Sequence, residues 1–166
     1  MFESLNEFLH WKAPDVREIV SDGILPYGGK LILAGKEETF KTMFSIYAGM
    51  RISLGLPIFG YKTNKVRVGM LQSELTKYMF QTRIVQAINP ELSSADILFA
   101  TELDIKLNKP AGIGQLASEI KKHHIQLLII DPLYKVLSGD ISGWVDMTKL
   151  TDNLDALCWQ FGCTIW

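Results

Sequence analysis

The chain has 166 residues, 48% of them hydrophobic and 21% charged, which excludes a disordered polymer and sets one domain with a sizeable core. A net charge of −1 with no broad basic tract excludes strong electrostatic capture of nucleic acid by this segment alone, leaving weak or oligomer-dependent binding open. Cys158 and Cys163 have neither metal-ligand company nor scaffold spacing, so they read as free thiols of a reducing cytoplasm; neither a signal peptide nor a membrane span is expected.

Residues 1–25 read as an N-terminal arm and entry segment, and residues 26–166 as the core. Leu31 to Ala34 is a continuous apolar run, expected as a buried strand. Residues 41 to 54 place Met43, Phe44, Tyr47, Ala48 and Ile52 on one helical face. Gly55-Leu-Pro-Ile-Phe-Gly60 breaks that helix, and a strand resumes at Val66 to Leu71. Phe80, Ile84, Ala87 and Ile88 have helical spacing within 76–88, and Asn89-Pro90 stops them. A short apolar run follows at Ile97 to Ala100. Gly112 to His124 carries Ile113, Leu116, Ala117 and Ile120 on one face. Leu127 to Ile130 is a wholly apolar strand ending in Asp131. Residues 142–161 predict an amphipathic helix through Met147, Leu150, Leu154, Leu157 and Phe161, closed by Gly162, and Cys163 to Trp166 opens another strand.

Strands apolar on both faces, alternating with helices, predict an α/β fold: a mainly parallel sheet with helices on both faces. Ligands of such sheets sit beyond the carboxyl ends of the strands. The chain has chemistry there. Gly35, Lys36, Glu37, Glu38, Thr39, Phe40, Lys41 and Thr42 follow the first strand and lead into the first long helix. They fit the phosphate-loop pattern G-x-x-x-x-G-K-[ST] with Phe40 where the second glycine belongs. Backbone N–H groups of such a loop wrap a phosphate at an electropositive helix start. Lys41 supplies a point charge to the terminal phosphates and Thr42 a hydroxyl to Mg²⁺. Two features oppose this. A phenylalanine adopts left-handed dihedrals only at a cost, and Glu37 and Glu38 must point outward so that only their N–H groups face the anion. A strand-turn-helix without a ligand is the competing reading.

Asp131 after four apolar residues is the second nucleotide-site signature, an acid that orients the water shell of Mg²⁺. An aspartate before Pro132 also serves as a turn former. Glu74 precedes a helix, so it fits either a charge on the helix dipole or a general base that polarises water. Arg83 suits a surface ion pair or a contact across a subunit boundary. Lys121, Lys122, His123 and His124 complement a helix C-terminus, and the adjacent histidines diverge too far to form a metal site. Trp11, Trp144, Trp159 and Trp166 read as packing residues rather than a base-stacking platform, with Trp11 open to either.

The chain resembles RecA-like P-loop ATPases of the RepA type, the plasmid and phage replicative helicase group related to DnaB-type helicases. The resemblance spans roughly residues 11–166. It is carried by Asp22-Gly-Ile-Leu-Pro-Tyr-Gly-Gly-Lys30, by Gly35 to Thr42, by Gly55-Leu-Pro-Ile-Phe-Gly60, by Leu71-Gln-Ser-Glu74 and by Leu128-Ile-Ile-Asp131. It implies ATP and Mg²⁺ as ligands, Lys41 and Thr42 on phosphate and metal, Asp131 as metal-shell acid and Glu74 as catalytic base. It also implies a strand at Cys163 to Trp166 placed between Leu31–Ala34 and Leu127–Ile130. Relatives continue into a γ-phosphate sensor and an arginine finger, so the chain reads as truncated at its C-terminus and is expected to be a poor ATPase even where it binds nucleotide.

The expected function is the ATP-binding core of a hexameric helicase-type ATPase in replication or mobile-element maintenance. Such a core hydrolyses ATP at subunit interfaces of a homo-oligomeric ring, with single-stranded DNA as a partner and no membrane. The alternative is a nucleotide-binding switch or assembly module that does not hydrolyse.

Overall fold

The computed structural model describes residues 2–12, 17–139 and 143–166. The first element, α1 (Leu5–His10), begins at a capping box: Glu7 N–H donates to Ser4 Oγ at 3.2 Å, and Ser4 N–H to Glu7 Oε2 at 2.8 Å. It buries no residue. A hairpin follows, β1 (Glu18–Val20) and β2 (Leu25–Pro26), turned by Asp22 and Gly23 at positive φ.

The main sheet has β3 (Val68–Gln72), β4 (Ile97–Thr101), β5 (Leu127–Asp131) and β6 (Thr164–Ile165), in the order β4-β3-β5-β6. Every pairing is parallel. Successive side chains alternate between faces. Val68, Met70, Leu127 and Ile129 therefore meet α2 (Lys41–Leu54) and α3 (Lys77–Ala87), with Ile46, Ile52 and Phe80 in one core. Leu71, Leu128, Ile130 and Ile165 meet α4 (Pro110–His123) and α5 (Trp144–Phe161), with Leu116, Leu150 and Leu157 in a second core. The expected fold class holds: a parallel sheet flanked by helices, consistent with a P-loop NTPase. The part of the last helix expected at residue 142 lies outside the described residues.

β6 does lie between β5 and the segment before the loop. Ile165 N–H donates to Gly29 O at 3.1 Å, Leu31 N–H donates to Ile165 O at 2.9 Å, and Lys30 bridges Ile165 in parallel. The buried strand expected at Leu31 to Ala34 is not found. Pairing is confined to Gly29–Leu31, and Ile32 is 79% exposed. The segment has β6 on one side only, and among the described residues no strand pairs with its other edge.

Two further expectations are corrected. On α2, Tyr47 is exposed, while Ile46, Gly49 and Met50 are buried with Ala48 and Ile52. The helix is wedged between the sheet and a layer containing the hairpin and Phe80, so it buries more than one stripe. Of the four tryptophans only Trp166 is buried, with its ring centroid 5.6 Å from that of Phe44, while Trp11 stacks on Phe8 within α1 and its C-cap at 6.5 Å. Trp11 belongs to the unburied arm, and Trp144 and Trp159 lie off the buried stripe of α5. No described helix is long and apolar enough to cross a membrane.

Candidate functional site

The loop Gly35–Phe40 connects the edge segment to α2, a helix of 14 residues whose first amides have no intrahelical acceptors. Glu38 and Phe40 both have φ of 59°, and Phe40, with ψ of 19°, is left-handed. Phe40 thus adopts the conformation for which glycine is the economical residue, at roughly 1–2 kcal/mol. Its ring stays 78% exposed, so packing does not offset that strain. Its carbonyl still starts the helix, accepting from Phe44 N–H at 2.9 Å.

The loop is closed from within. The Lys41 ammonium donates to Gly35 O at 2.9 Å, to Lys36 O, and to Thr39 Oγ1 at 3.3 Å. Thr39 Oγ1 in turn donates to Lys36 O at 2.8 Å. A Cβ on Gly35 would come within 3.2 Å of Thr39 Oγ1, so the turn is tight at its first glycine. Glu37 and Glu38 are exposed, and the charge of Glu37 still reaches Tyr134 beside the site.

Across from the loop stand the carboxyl ends of β3 and β5. Gln72 and Asp131 are paired in register, and Ser73 N–H donates to Asp131 O at 3.1 Å. Burial holds the Asp131 carboxyl above the usual carboxylate range, and the charge of Glu74 adds to this; the Thr42 hydroxyl, Arg83 and Lys41 pull it back. Asp131 Oδ2, Gln72 Nε2 and Ser73 Oγ are buried without hydrogen-bond partners among the described residues. Glu74 is exposed just beyond β3, and its Oε1 accepts from Tyr134 Oη at 3.2 Å.

Lys41, Thr42, Asp131 and Glu74 therefore gather at one end of the sheet. Arg83 on α3 also reaches this neighbourhood through its charge on Asp131, and it forms no ion pair among the described residues. Tyr134 escaped the sequence reading. Its signal was positional, three residues after the acid that ends β5 and hence among the loops where such sheets hold ligands. The described residues contain no group of three or more His, Cys, Asp or Glu that would hold a metal by themselves. The Thr42 hydroxyl and the Asp131 carboxylate, whose Oδ2 is orphaned, instead fit Mg²⁺, which takes one or two protein oxygens and completes its shell with water and phosphate.

The family model described as AAA domain matches residues 2–166. No curated protein matches the chain.

Proposed function

The chain belongs to the AAA domain family, and from that premise we propose that it binds Mg²⁺-ATP at Gly35–Thr42 and hydrolyses it. A P-loop ATPase in general is what the family implies; the residue roles and the finer class are our reading. The observation that carries it is the convergence of Lys41 and Thr42 with Asp131, whose Oδ2 is buried without a partner.

Amides of the loop and of the first turn of α2 take up phosphate oxygens, and Lys41 exchanges its loop carbonyls for the terminal phosphates. Thr42 and Asp131 would hold Mg²⁺, which would supply positive charge against the phosphates. Glu74, free of the metal pair and exposed, takes a proton from the attacking water. The RepA-type resemblance extends this to a RecA-like replicative ATPase of plasmid or phage kind, with residues 26–166 as core and residues 1–25 as arm and entry segment, the hairpin of the latter packing on the core. Ring assembly and single-stranded DNA belong to the same proposal.

A non-hydrolysing switch is the second reading, favoured by one observation: Phe40 is held in a strained left-handed conformation where glycine would allow close approach of phosphate. Phosphate release from ATP, with and without single-stranded DNA, separates the two. The enzyme reading expects slow but measurable single-turnover release by the parent, and loss of that release on Glu74→Gln with nucleotide binding kept. Binding without release by the parent selects the switch.

A further inference from the structure

Tyr134 lies on the 3-10 turn Leu133–Val136, which leaves the carboxyl end of β5 directly after Asp131-Pro132. Its hydroxyl crosses to the other side of the site and donates to Glu74 Oε1 at 3.2 Å. Glu74 belongs to no ion pair among the described residues, and Tyr134 is the one hydrogen-bond partner found there for its carboxylate. An exposed glutamate otherwise samples many rotamers. A base must stand about 2.6–3.2 Å from the water it deprotonates.

We propose that Tyr134 is a positioning residue for Glu74, fixing Oε1 through its hydroxyl so that Oε2 is presented to the attacking water. This rests on the reading of Glu74 as the general base. In the step so arranged, the water oxygen bonds to the γ-phosphorus and one water proton passes to Glu74 Oε2. The bond from the γ-phosphorus to the bridging oxygen breaks, and ADP leaves with that electron pair. Tyr134 keeps its proton throughout.

The surroundings keep the proton on the phenol. Partial burial pushes its ionisation above the ordinary tyrosine value, and the negative charges of Glu74, Glu37 and Asp131 push the same way. The Lys135 ammonium lies 5.7 Å from the ring centroid, against the face of the ring rather than at the hydroxyl. The tyrosine thus serves as a fixed donor between the β5 loop and the end of β3, two segments otherwise tied here by the Ser73–Asp131 backbone bond.

The test uses the full chain with Tyr134→Phe, Glu74→Gln and the double variant, read by calorimetric binding of Mg²⁺-ATP and by single-turnover release of phosphate. Tyr134→Phe is expected to bind within about twofold of the parent and to hydrolyse about tenfold more slowly, a part of the roughly 10²–10⁴ that a positioned base supplies. In the Glu74→Gln background the tyrosine substitution should add no further loss, since both act through one carboxylate. A third readout needs no turnover: ring-labelled tyrosine followed by NMR against pH, with the Tyr134 signal assigned by its absence in Tyr134→Phe. Glu74→Gln removes a facing negative charge, so the Tyr134 midpoint should fall.

Turnover unchanged by Tyr134→Phe but slowed by Glu74→Gln overturns the positioning role and leaves the base in place. A Tyr134 midpoint unmoved by Glu74→Gln overturns the contact itself. Full-rate hydrolysis by Glu74→Gln overturns the base, and the positioning role with it, even where the midpoint still shifts. A parent that releases no phosphate overturns both.

Discussion

Gln72 and Asp131 stand side by side in register at the carboxyl ends of β3 and β5, and each keeps one buried polar atom without a partner among the described residues. An orphaned donor and an orphaned acceptor at one place cost stability, of order 1–3 kcal/mol per unsatisfied group. A site that takes up a hydrated cation gives both groups a use.

The first prediction concerns Asp131→Asn. Burial raises the folded-state pKa of Asp131, so the folded chain binds this proton more readily than the unfolded one. Stability therefore falls as pH climbs from the ordinary aspartate value through the folded-state value, and the cost of the buried charge is fully present above both. Asparagine removes that cost. Thermal melts without nucleotide should show the variant more stable than the parent, by a margin that grows as pH rises above the ordinary aspartate value of about 4 and levels off above the folded-state value. The same variant should lose about 10–100-fold in Mg²⁺-dependent nucleotide affinity. A margin that shrinks with rising pH contradicts the electrostatic account.

The second concerns Phe40. Its left-handed backbone strains any residue with a Cβ, while its ring is largely exposed and contributes little burial. Phe40→Gly should equal or exceed Phe40→Ala in stability by about 1 kcal/mol, reversing the usual alanine advantage in helices. Nucleotide affinity of Phe40→Gly should match or exceed that of the parent. Urea denaturation and calorimetry check both. Abolished binding in a folded Phe40→Gly would make the ring part of the site.

The legibility of the chain divides along physical lines. β3, β5 and the helices α3 to α5 were readable because long apolar periodicity dominates their local energetics, and Gly162 closes α5 at positive φ as expected. The turn into α2 was readable because Gly35 ends the apolar run and Lys41-Thr42 opens the periodic stretch. The hairpin at Glu18–Pro26 and the arm helix were missed, though Asp22-Gly23 and the Ser4–Glu7 capping box marked them locally. The exposed fate of Ile32 was not readable, because sequence patterning reports apolar content and not whether a neighbouring strand covers it. Tyr134 was hidden for a similar reason: its partner Glu74 is 60 residues away in the chain.

A third prediction tests packing behind the site. A Cβ on Gly112, in the first turn of α4, would sit 2.2 Å from the Lys106 carbonyl oxygen, a backbone atom. Gly112→Ala should therefore destabilise by about 1–3 kcal/mol in urea, against the gain of about 1 kcal/mol that alanine brings to a helix. A stabilised variant would show that the segment before α4 yields freely.

The fourth uses the thiols. Burial, with the neighbouring Cys158, pushes the Cys163 thiol up to about 12, and burial raises Cys158 as well. Both residues are buried and unbridged. A colorimetric thiol reagent at neutral pH should react with neither on the native chain except through opening, and with both on addition of denaturant. Rapid native reaction of Cys163 would contradict the placement of β6 within the sheet.

The central claim, that Gly35–Thr42 is a Mg²⁺-nucleotide site, is tested most directly by calorimetric titration of Mg²⁺-ATP into the parent and into Lys41→Ala. Loss of a charge-assisted contact of about 1.5–3 kcal/mol predicts an affinity lower by about ten- to a hundred-fold, with the fold retained. Equal affinity for the two proteins would contradict the assignment of the loop.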